Sequence, residues 1–354
     1  VSSKSIYFGI QLLYFMKILI LRFSSIGDIV LTSPVMRCIK QQVENAEVHF
    51  CTKKNFKSLI EHNPYIDKYF LLEDKLSDLI TKLKEEKYDY IIDLHNNLRT
   101  QIIKLSLWNV KSLSFDKINW QKFLYVKFKI KKFMPNVHIV DRYLAPAIKA
   151  FGIKNDDKGL DYFIPEKDNI PLDWLPTAFQ KGFVAYGIGG QYFTKQLPKE
   201  RIIEVCERIN KPIILLGGKE DSAIAEEIEQ FFTPTVSSDR NEKQLLKEMD
   251  KNTVIFNACG KFNLNQSASL LKQAALVISH DTGLMHIASA FQQEIYSIWG
   301  NTTPELGFYP YQTKFTIYET KDLDCRPCSK IGFHQCPKGH FKCMKDIKFD
   351  FYIP

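Results

Sequence analysis

Apolar residues gather in short runs that alternate with helically spaced segments along most of the chain. Residues 17–23 (KILILRF) form a near-continuous apolar run into Ser24-Ser25-Ile26-Gly27-Asp28, followed by a helical pattern from Pro34 to Gln42. Residues 183–187 (FVAYG) repeat the design, passing through Ile188-Gly189-Gly190 to a helical pattern from Pro198 to Ile209. Runs of this kind suit strands buried on both faces, as in parallel sheets covered by helices. Further strands are predicted at 47–51, 88–94 and 110–115, and in the second half at 212–217, 253–257, 276–280 and 295–299. The alternation predicts an α/β fold of two doubly wound, Rossmann-like domains facing a cleft. Residues 16–165 form the first domain, 166–181 a linker, 182–320 the second domain and 321–354 a cysteine-rich C-terminal segment. The linker sits in a stretch, roughly 152–181, with prolines and charges but no clear period.

Composition agrees with this picture. A length of 354 residues suits two domains of about 150 each. With 45% hydrophobic and 25% charged residues, the chain is neither disordered, fibrous nor a disulfide miniprotein. Lys17 and Arg22 interrupt the best apolar stretch, so no run reaches the roughly 18 residues of a membrane span. A formal charge of +8, with 26 Phe and 16 Tyr, admits anionic substrates, nucleic acid or a membrane surface. Residues 1–15 (VSSKSIYFGIQLLYF) are unlike the remainder of the chain and read as an upstream extension, with Met16 opening the first strand. A secretory signal is the competing reading, but no small-residue cleavage site comes after the apolar run. The expected location is the cytoplasm, where thiols stay reduced.

Cys38, Cys51, Cys206 and Cys259 are scattered among apparent helices and strands, as small buried hydrophobes are. Cys325, Cys328, Cys336 and Cys343 gather in one segment with His334 and His340 between them. That spacing resembles a zinc site without its second tight pair, so a metal site and a structural turn cluster both stay open.

Ligands of α/β sheets bind at the carboxyl ends of strands, so the strand-to-helix turns are where chemistry is expected. The first turn has a single glycine, neither G-x-G-x-x-G nor a P-loop, which weakens a dehydrogenase reading. Ser25-x-x-Asp28 fits a capping box. A carboxylate at a helix N-terminus also stays ionised and can accept a proton as a weak base. After 276–280, the turn His280-Asp281-Thr282-Gly283-Leu284-Met285-His286 opens a helix. Free N–H groups at Thr282 and Gly283 suit a phosphate, and Asp281 suits sugar hydroxyls. A capped helix with His286 merely packed fits the same residues. Gly190-Gln191 precedes Thr194-Lys195, which sets an ammonium at the mouth of the second domain. Gly217-Gly218-Lys219-Glu220 puts an acid where nucleotide folds hold ribose.

Taken in order, SSIGD after MKILILRF, then TKQLP, LLGGKE, Lys261-Phe262-Asn263-Leu264 and HDTGLMHIASA resemble glycosyltransferase family 9 across about residues 16–310. These are the ADP-heptose:lipopolysaccharide heptosyltransferases. The resemblance implies a GT-B architecture, a nucleotide-sugar donor such as ADP-heptose, and a lipopolysaccharide core or lipid A-type acceptor. It implies that Asp28 is the general base, with Ser25 and Gly27 in the acceptor-side turn. It places Lys195 near the donor diphosphate, Glu220 near the ribose and Phe262 near the adenine. Asp281, Thr282, Gly283 and His286 match the loop for the donor sugar and diphosphate. Gly190 and Gln191 stand where the family carries a polar, hydroxyl-bearing pair, which is a departure in the phosphate contacts.

The implied reaction is inverting, through an oxocarbenium-like transition state. Lys195 and the Thr282 and Gly283 N–H groups would meet the charge on the leaving diphosphate. The one Asp-x-Asp, Asp322-Leu323-Asp324, lies far along the chain from these turns, so no metal and no cofactor is expected. Residues 117–132 carry Lys117, Lys122, Lys127, Lys129, Lys131 and Lys132 interleaved with Trp120, Phe123, Tyr125 and Phe128. As a helix this suits the cytoplasmic face of an anionic membrane, or a core-packed helix with lysines on its wet face. Nucleic acid is not an expected partner, because no reading motif accompanies the charge. A nucleotide-sugar epimerase and a non-catalytic binding module are the rival functions.

Overall fold

A computed structural model describes residues 15–233 and 252–351. The expectation for residues 1–15 lies outside the described residues apart from Phe15.

The first half builds a sheet from β1 (Met16–Leu21), β2 (Ala46–Lys53), β3 (Lys68–Leu72), β4 (Tyr90–Asp93) and β5 (Lys111–Ser114). Its order is β3-β2-β1-β4-β5, with every pair parallel. Its helices are α1 (Ile26–Val30), α2 (Ser33–Gln42), α3 (Leu76–Glu85), α4 (Leu98–Ser106), α5 (Asn119–Phe128) and α6 (Ile139–Phe151). The second half builds β6 (Val184–Gly187), β7 (Ile213–Leu216), β8 (Ile255–Asn257), β9 (Leu276–His280), β10 (Ile295–Trp299) and β11 (Phe315–Glu319). The order there is β11-β10-β9-β6-β7-β8, again parallel. Helices α7 (Lys199–Ile209), α8 (Ser222–Phe232), α9 (Leu264–Gln273), α10 (Gly283–Ala290) and α11 (Lys342–Lys345) complete it.

The apolar runs became central strands for a physical reason. Ile18, Leu19, Ile20 and Leu21 are all fully buried, because β1 is covered on both faces. The strands that the sequence pattern missed, β3 and β11, are sheet edges. β11 (FTIYE) alternates and has no apolar run, whereas β3 (KYFLL) has a short one with partly exposed positions between covered ones.

Strand order reverses between β1 and β4 in the first sheet and between β6 and β9 in the second. Such switch points open crevices at the carboxyl ends of the strands. The turns after β1, β6 and β9 therefore lie where a ligand can enter.

The stretch between the sheets contains no strand, yet it is pinned at both ends. Arg37 of α2 pairs with Asp156 at 2.7 Å, with Asp161, and with the Gly159 carbonyl at 2.8 Å. Asp168 accepts hydrogen bonds from Asn263 and Asn265, each at 3.0 Å. The C-terminal segment is no appendage either. Phe341, Cys343, Met344, Ile347 and Phe349 pack into the second core beside Tyr186 and Ile278. No helix among the described residues is long and apolar enough to cross a membrane.

Candidate active site

β1 ends by delivering Arg22, and the turn beyond it sets Asp28 in the first turn of α1. The carboxylate is saturated with donors. Arg22 Nη2 lies 2.8 Å from Oδ1, and the Tyr143 hydroxyl donates to the same oxygen at 2.9 Å. Ser25 donates to Oδ2 through its hydroxyl at 2.8 Å and its backbone N–H at 3.2 Å. Burial alone would raise this carboxyl's pKa; Arg22, Ser25 and Tyr143 together outweigh burial and hold it at about 2. The Ser25 N–H bond is half of a capping box, so the capping geometry and a poised carboxylate coexist in one residue.

This turn meets the turn after β9. A Cβ on Gly27 would stand 2.6 Å from the His286 ring and 3.5 Å from Gly283 Cα. One on Gly283 would reach the Ile26 side chain at 2.7 Å. Only glycine at both positions lets α1 and α10 approach this closely. His286 is buried beside them; desolvation first, and Lys195 second among the lowering causes, keep its pKa down at about 4 and the ring neutral. Its Nδ1 has no hydrogen-bond partner among the described residues.

The other wall carries Lys195. Its ammonium lies 2.6 Å from Asp281 Oδ2 and 3.1 Å from the Asp281 carbonyl, while Thr302 donates to the same carboxylate oxygen at 2.8 Å. Thr282 is the N-cap of α10 and Gly283 its first residue, so their N–H groups face the crevice end of the helix. Gly190 joins this group: a Cβ there would contact Thr282 Cγ2 at 3.5 Å, and its carbonyl accepts from Gln196 at 2.8 Å. Gln191 is exposed. Glu220 and Phe262 lie on neighbouring loops, since a Cβ on Gly260 would meet Lys219 at 2.9 Å. Glu220 is exposed, and Phe262 packs half-buried against the main core.

Several polar groups of the cleft escaped the sequence pattern. Arg22 and Tyr143 grip Asp28, and His280 Nε2 accepts from the Leu197 N–H at 3.2 Å to hold the loop beyond Lys195. Arg142, next to Tyr143, is 8% exposed and donates through Nη2 to the Asp116 carbonyl at 2.7 Å. Its Nε and Nη1 are buried without a partner among the described residues. Lys122 sits 5.3 Å above the Phe308 ring, and burial, with Arg142 next, lowers its pKa to about 7. Burial and Arg22 also lower the pKa of Lys117. A buried arginine within an apolar strand run was the one available signal, because such a charge demands a partner.

The reading of 117–132 needs correction. The segment is not one helix: α5 ends at Phe128, and Lys129 turns into the left-handed region (φ 60°). Nor do its lysines form a wet face opposite packed rings. Trp120, Phe123 and Phe128 are 66%, 50% and 57% exposed and pack on one another. Lys129 instead donates to the Pro327 carbonyl at 2.6 Å, and Lys131 pairs with Glu305 at 2.6 Å. Tyr125 is buried, its hydroxyl 3.0 Å from Thr303 Oγ1 across the cleft. Lys129 and Lys131 reach the second half while staying exposed, and the rings of α5 turn out beside them.

Residues 76–336 match the profile of Glycosyltransferase family 9 (heptosyltransferase). The chain belongs to glycosyltransferase family 9. Within this family it is 23% identical over 317 residues to lipopolysaccharide heptosyltransferase 1 of Campylobacter coli, covering 81% of this chain and 84% of that protein. The family 9 glycosyl transferase of Veillonella parvula superposes with a TM-score of 0.68 at 19% identity, over 87% and 88% of the two chains. The E. coli heptosyltransferase WaaC, solved with ADP-2-deoxy-2-fluoro heptose, gives 0.60 at 18% identity over 85% and 93%. The two parallel sheets are thus the GT-B arrangement of heptosyltransferase structures. As a family 9 member the chain is a glycosyltransferase.

Proposed function

We propose that the enzyme moves a heptose from ADP-heptose onto a lipopolysaccharide core acceptor with inversion, Asp28 serving as general base. The observation that carries this reading is the contact of two turns: the one bearing Asp28 and the one bearing Asp281, Thr282, Gly283 and His286. A carboxylate on one wall thereby faces a helix N-terminus and a lysine on the other. The relatives' names supply the sugar and acceptor class.

The acceptor hydroxyl attacks the anomeric carbon from the face opposite the diphosphate, and the C–O bond to the leaving group breaks. A carboxylate held near pKa 2 is a feeble base toward a free alcohol. It suits an oxocarbenium-like path, in which the hydroxyl turns acidic only as the new bond forms, so Asp28 takes the proton late. Charge arriving on the diphosphate meets the N–H groups of Thr282 and Gly283, and Lys195 once it exchanges Asp281 for phosphate. These cations and dipoles do the work for which a divalent ion is otherwise recruited. Asp322 and Asp324 lie on the exposed C-terminal loop. Arg142, Lys117 and Lys122 supply positive charge beside Asp28, which suits an anionic acceptor. The exposed rings of α5 suit contact with the membrane surface that carries it.

A donor panel of ADP-heptose and ADP-, UDP- and GDP-hexoses, offered with heptose-free lipopolysaccharide, tests the reading by mass spectrometry. The expected product gains one heptose from ADP-heptose alone. Transfer of a hexose, or a rearranged nucleotide sugar formed without acceptor, would overturn it.

A further inference from the structure

Helix α4 carries apolar residues on two opposite faces, and the fold uses one of them. Thr100, Ile103 and Leu107 are buried, the last two in the core beside Leu19, Leu21 and Ile91. Lys104 ties the helix to the sheet, 3.0 Å from Asp93 and donating to Ser114 at 2.7 Å. Leu98, Ile102 and Leu105 recur at i, i+4 and i+7 and therefore share the opposite face. They are 76%, 39% and 74% exposed, and Trp108, just past the helix, is 83% exposed. A helix that merely covers a sheet needs one apolar stripe, as the neighbouring α3 shows. There Leu79 and Leu83 face the core, while Ser77, Asp78, Lys82, Lys84 and Glu85 face water.

The charge around this second stripe is one-sided. Residues 94–140 contain nine lysines and arginines and a single acid, Asp116. Arg99 is exposed at the start of the stripe and Lys111 beyond its end. The pocket beside Arg99 sets Lys53 and Lys54 against Glu73 and Asp74, and Glu73 is already paired with Lys54 at 3.1 Å. A second copy of the chain would bring like charges together across the stripe, whereas an anionic lipid surface suits both its apolar residues and its cations. Place and length agree. The helix opens after β4, at the carboxyl edge of the sheet that also bears Asp28, and β5 beside it is the outermost strand. Its nine residues span about 14 Å, too short to cross a bilayer but enough to lie in its surface.

We infer that α4 is a membrane-docking helix that seats Leu98, Ile102, Leu105 and Trp108 in an anionic bilayer surface, with Arg99 and Lys111 among the headgroups. The aliphatic side chains reach the boundary of the acyl region, and the indole of Trp108 suits the interface, apolar in its ring and polar at its N–H. The contact has two components. The cations draw the protein to the surface and are screened by salt, while the apolar stripe holds it there and is not. This footprint belongs to a different helix from the rings of α5 and adds to theirs. Docked in this way, the sheet edge with Asp28 lies close to the membrane that holds a lipid-linked acceptor. That consequence rests on the proposed function, whereas lipid binding itself does not.

The test is pelleting of the full chain with vesicles of phosphatidylethanolamine containing about one quarter phosphatidylglycerol, beside vesicles of phosphatidylcholine alone. Binding to the anionic vesicles is expected to exceed binding to the neutral ones by about fivefold or more and to weaken with salt. Leu98→Ser, Leu105→Ser and Trp108→Ser together should cut it by about fivefold or more. Transfer to a lipid-free acceptor should stay within about twofold, because these side chains are exposed and make no core contact. If the triple variant misfolds, quenching of tryptophan fluorescence by brominated phosphatidylglycerol decides, and Trp108→Phe should diminish it. Equal pelleting by the triple variant, equal binding to neutral vesicles, or quenching unchanged in Trp108→Phe overturns the inference. So does a dimer that the triple variant dissolves into monomers, or vesicle binding lost only on substitution of the α5 rings. A failed donor panel with vesicle binding lost in the α4 variant would leave the docking helix standing and dismiss the transfer reading.

Discussion

Asp28 shows how far a single residue's role depends on its neighbours. Its place after an apolar strand was legible, because a carboxylate in a strand-to-helix turn is a local pattern. Its basicity was not, since Arg22 and Tyr143 set it, and Tyr143 arrives from α6, 115 residues along the chain. Asp28→Asn keeps the size and some of the hydrogen bonds but cannot take up the proton. It should lower kcat by about 10²–10⁴-fold, the usual share of a general base. ADP affinity should stay within about twofold, because Lys195, Asp281 and α10 are untouched. Rate measurements paired with calorimetry check both, and a variant retaining most of its kcat would transfer the base role elsewhere. His286 illustrates the converse: the sequence paired it with the donor loop, and the structure seats it against Gly27 with its ring neutral at about 4.

At the scale of elements, every central strand was read, while two of the four sheet edges, β3 and β11, were missed. Central strands such as β1 and β7 are buried on both sides, so their sequences are apolar throughout. Edge strands β3 and β11 are half covered, and β11 lacks that run. Helix α5 was misread in a more instructive way. The lysines and rings of 117–132 were plain in the sequence, but what Tyr125, Lys129 and Lys131 meet depended on Thr303, Pro327 and Glu305 from the other half. Three exposed rings on one short helix form an apolar patch that water does not favour. Replacing Trp120, Phe123 and Phe128 with Ser together should cut co-sedimentation with anionic vesicles several-fold while turnover of a water-soluble acceptor persists. Equal vesicle binding by the variant would dismiss the membrane contact.

For the whole molecule, buried neutral histidines set the acid limit. Desolvation, the largest cause in each, takes His138 to about 3 and His280 and His286 to about 4, from an ordinary 6.5. Below about pH 6.5 the unfolded chain gains protons at these sites while the folded chain does not. Stability is therefore full above that pH and is lost as pH falls toward 4. Asp28 works in a lower window: its depressed pKa contributes stability above about 4 that is lost only as pH drops toward 2. The Tm should decline steadily from pH 6.5 to 4.5 in calorimetry, and a flat Tm over that range would contradict the assignment of buried neutral rings. The strand–helix alternation, the parallel sheets and the family motifs were all determined by the sequence alone. Each rests on local periodicity or on residues a few positions apart. Tertiary structure decided the rest: which turns meet, which side chains of 117–132 reach the second half, and how weak a base Asp28 is. Those outcomes depend on burial and on charges that only folding brings within a few ångströms, and no stretch of the chain encodes them by itself.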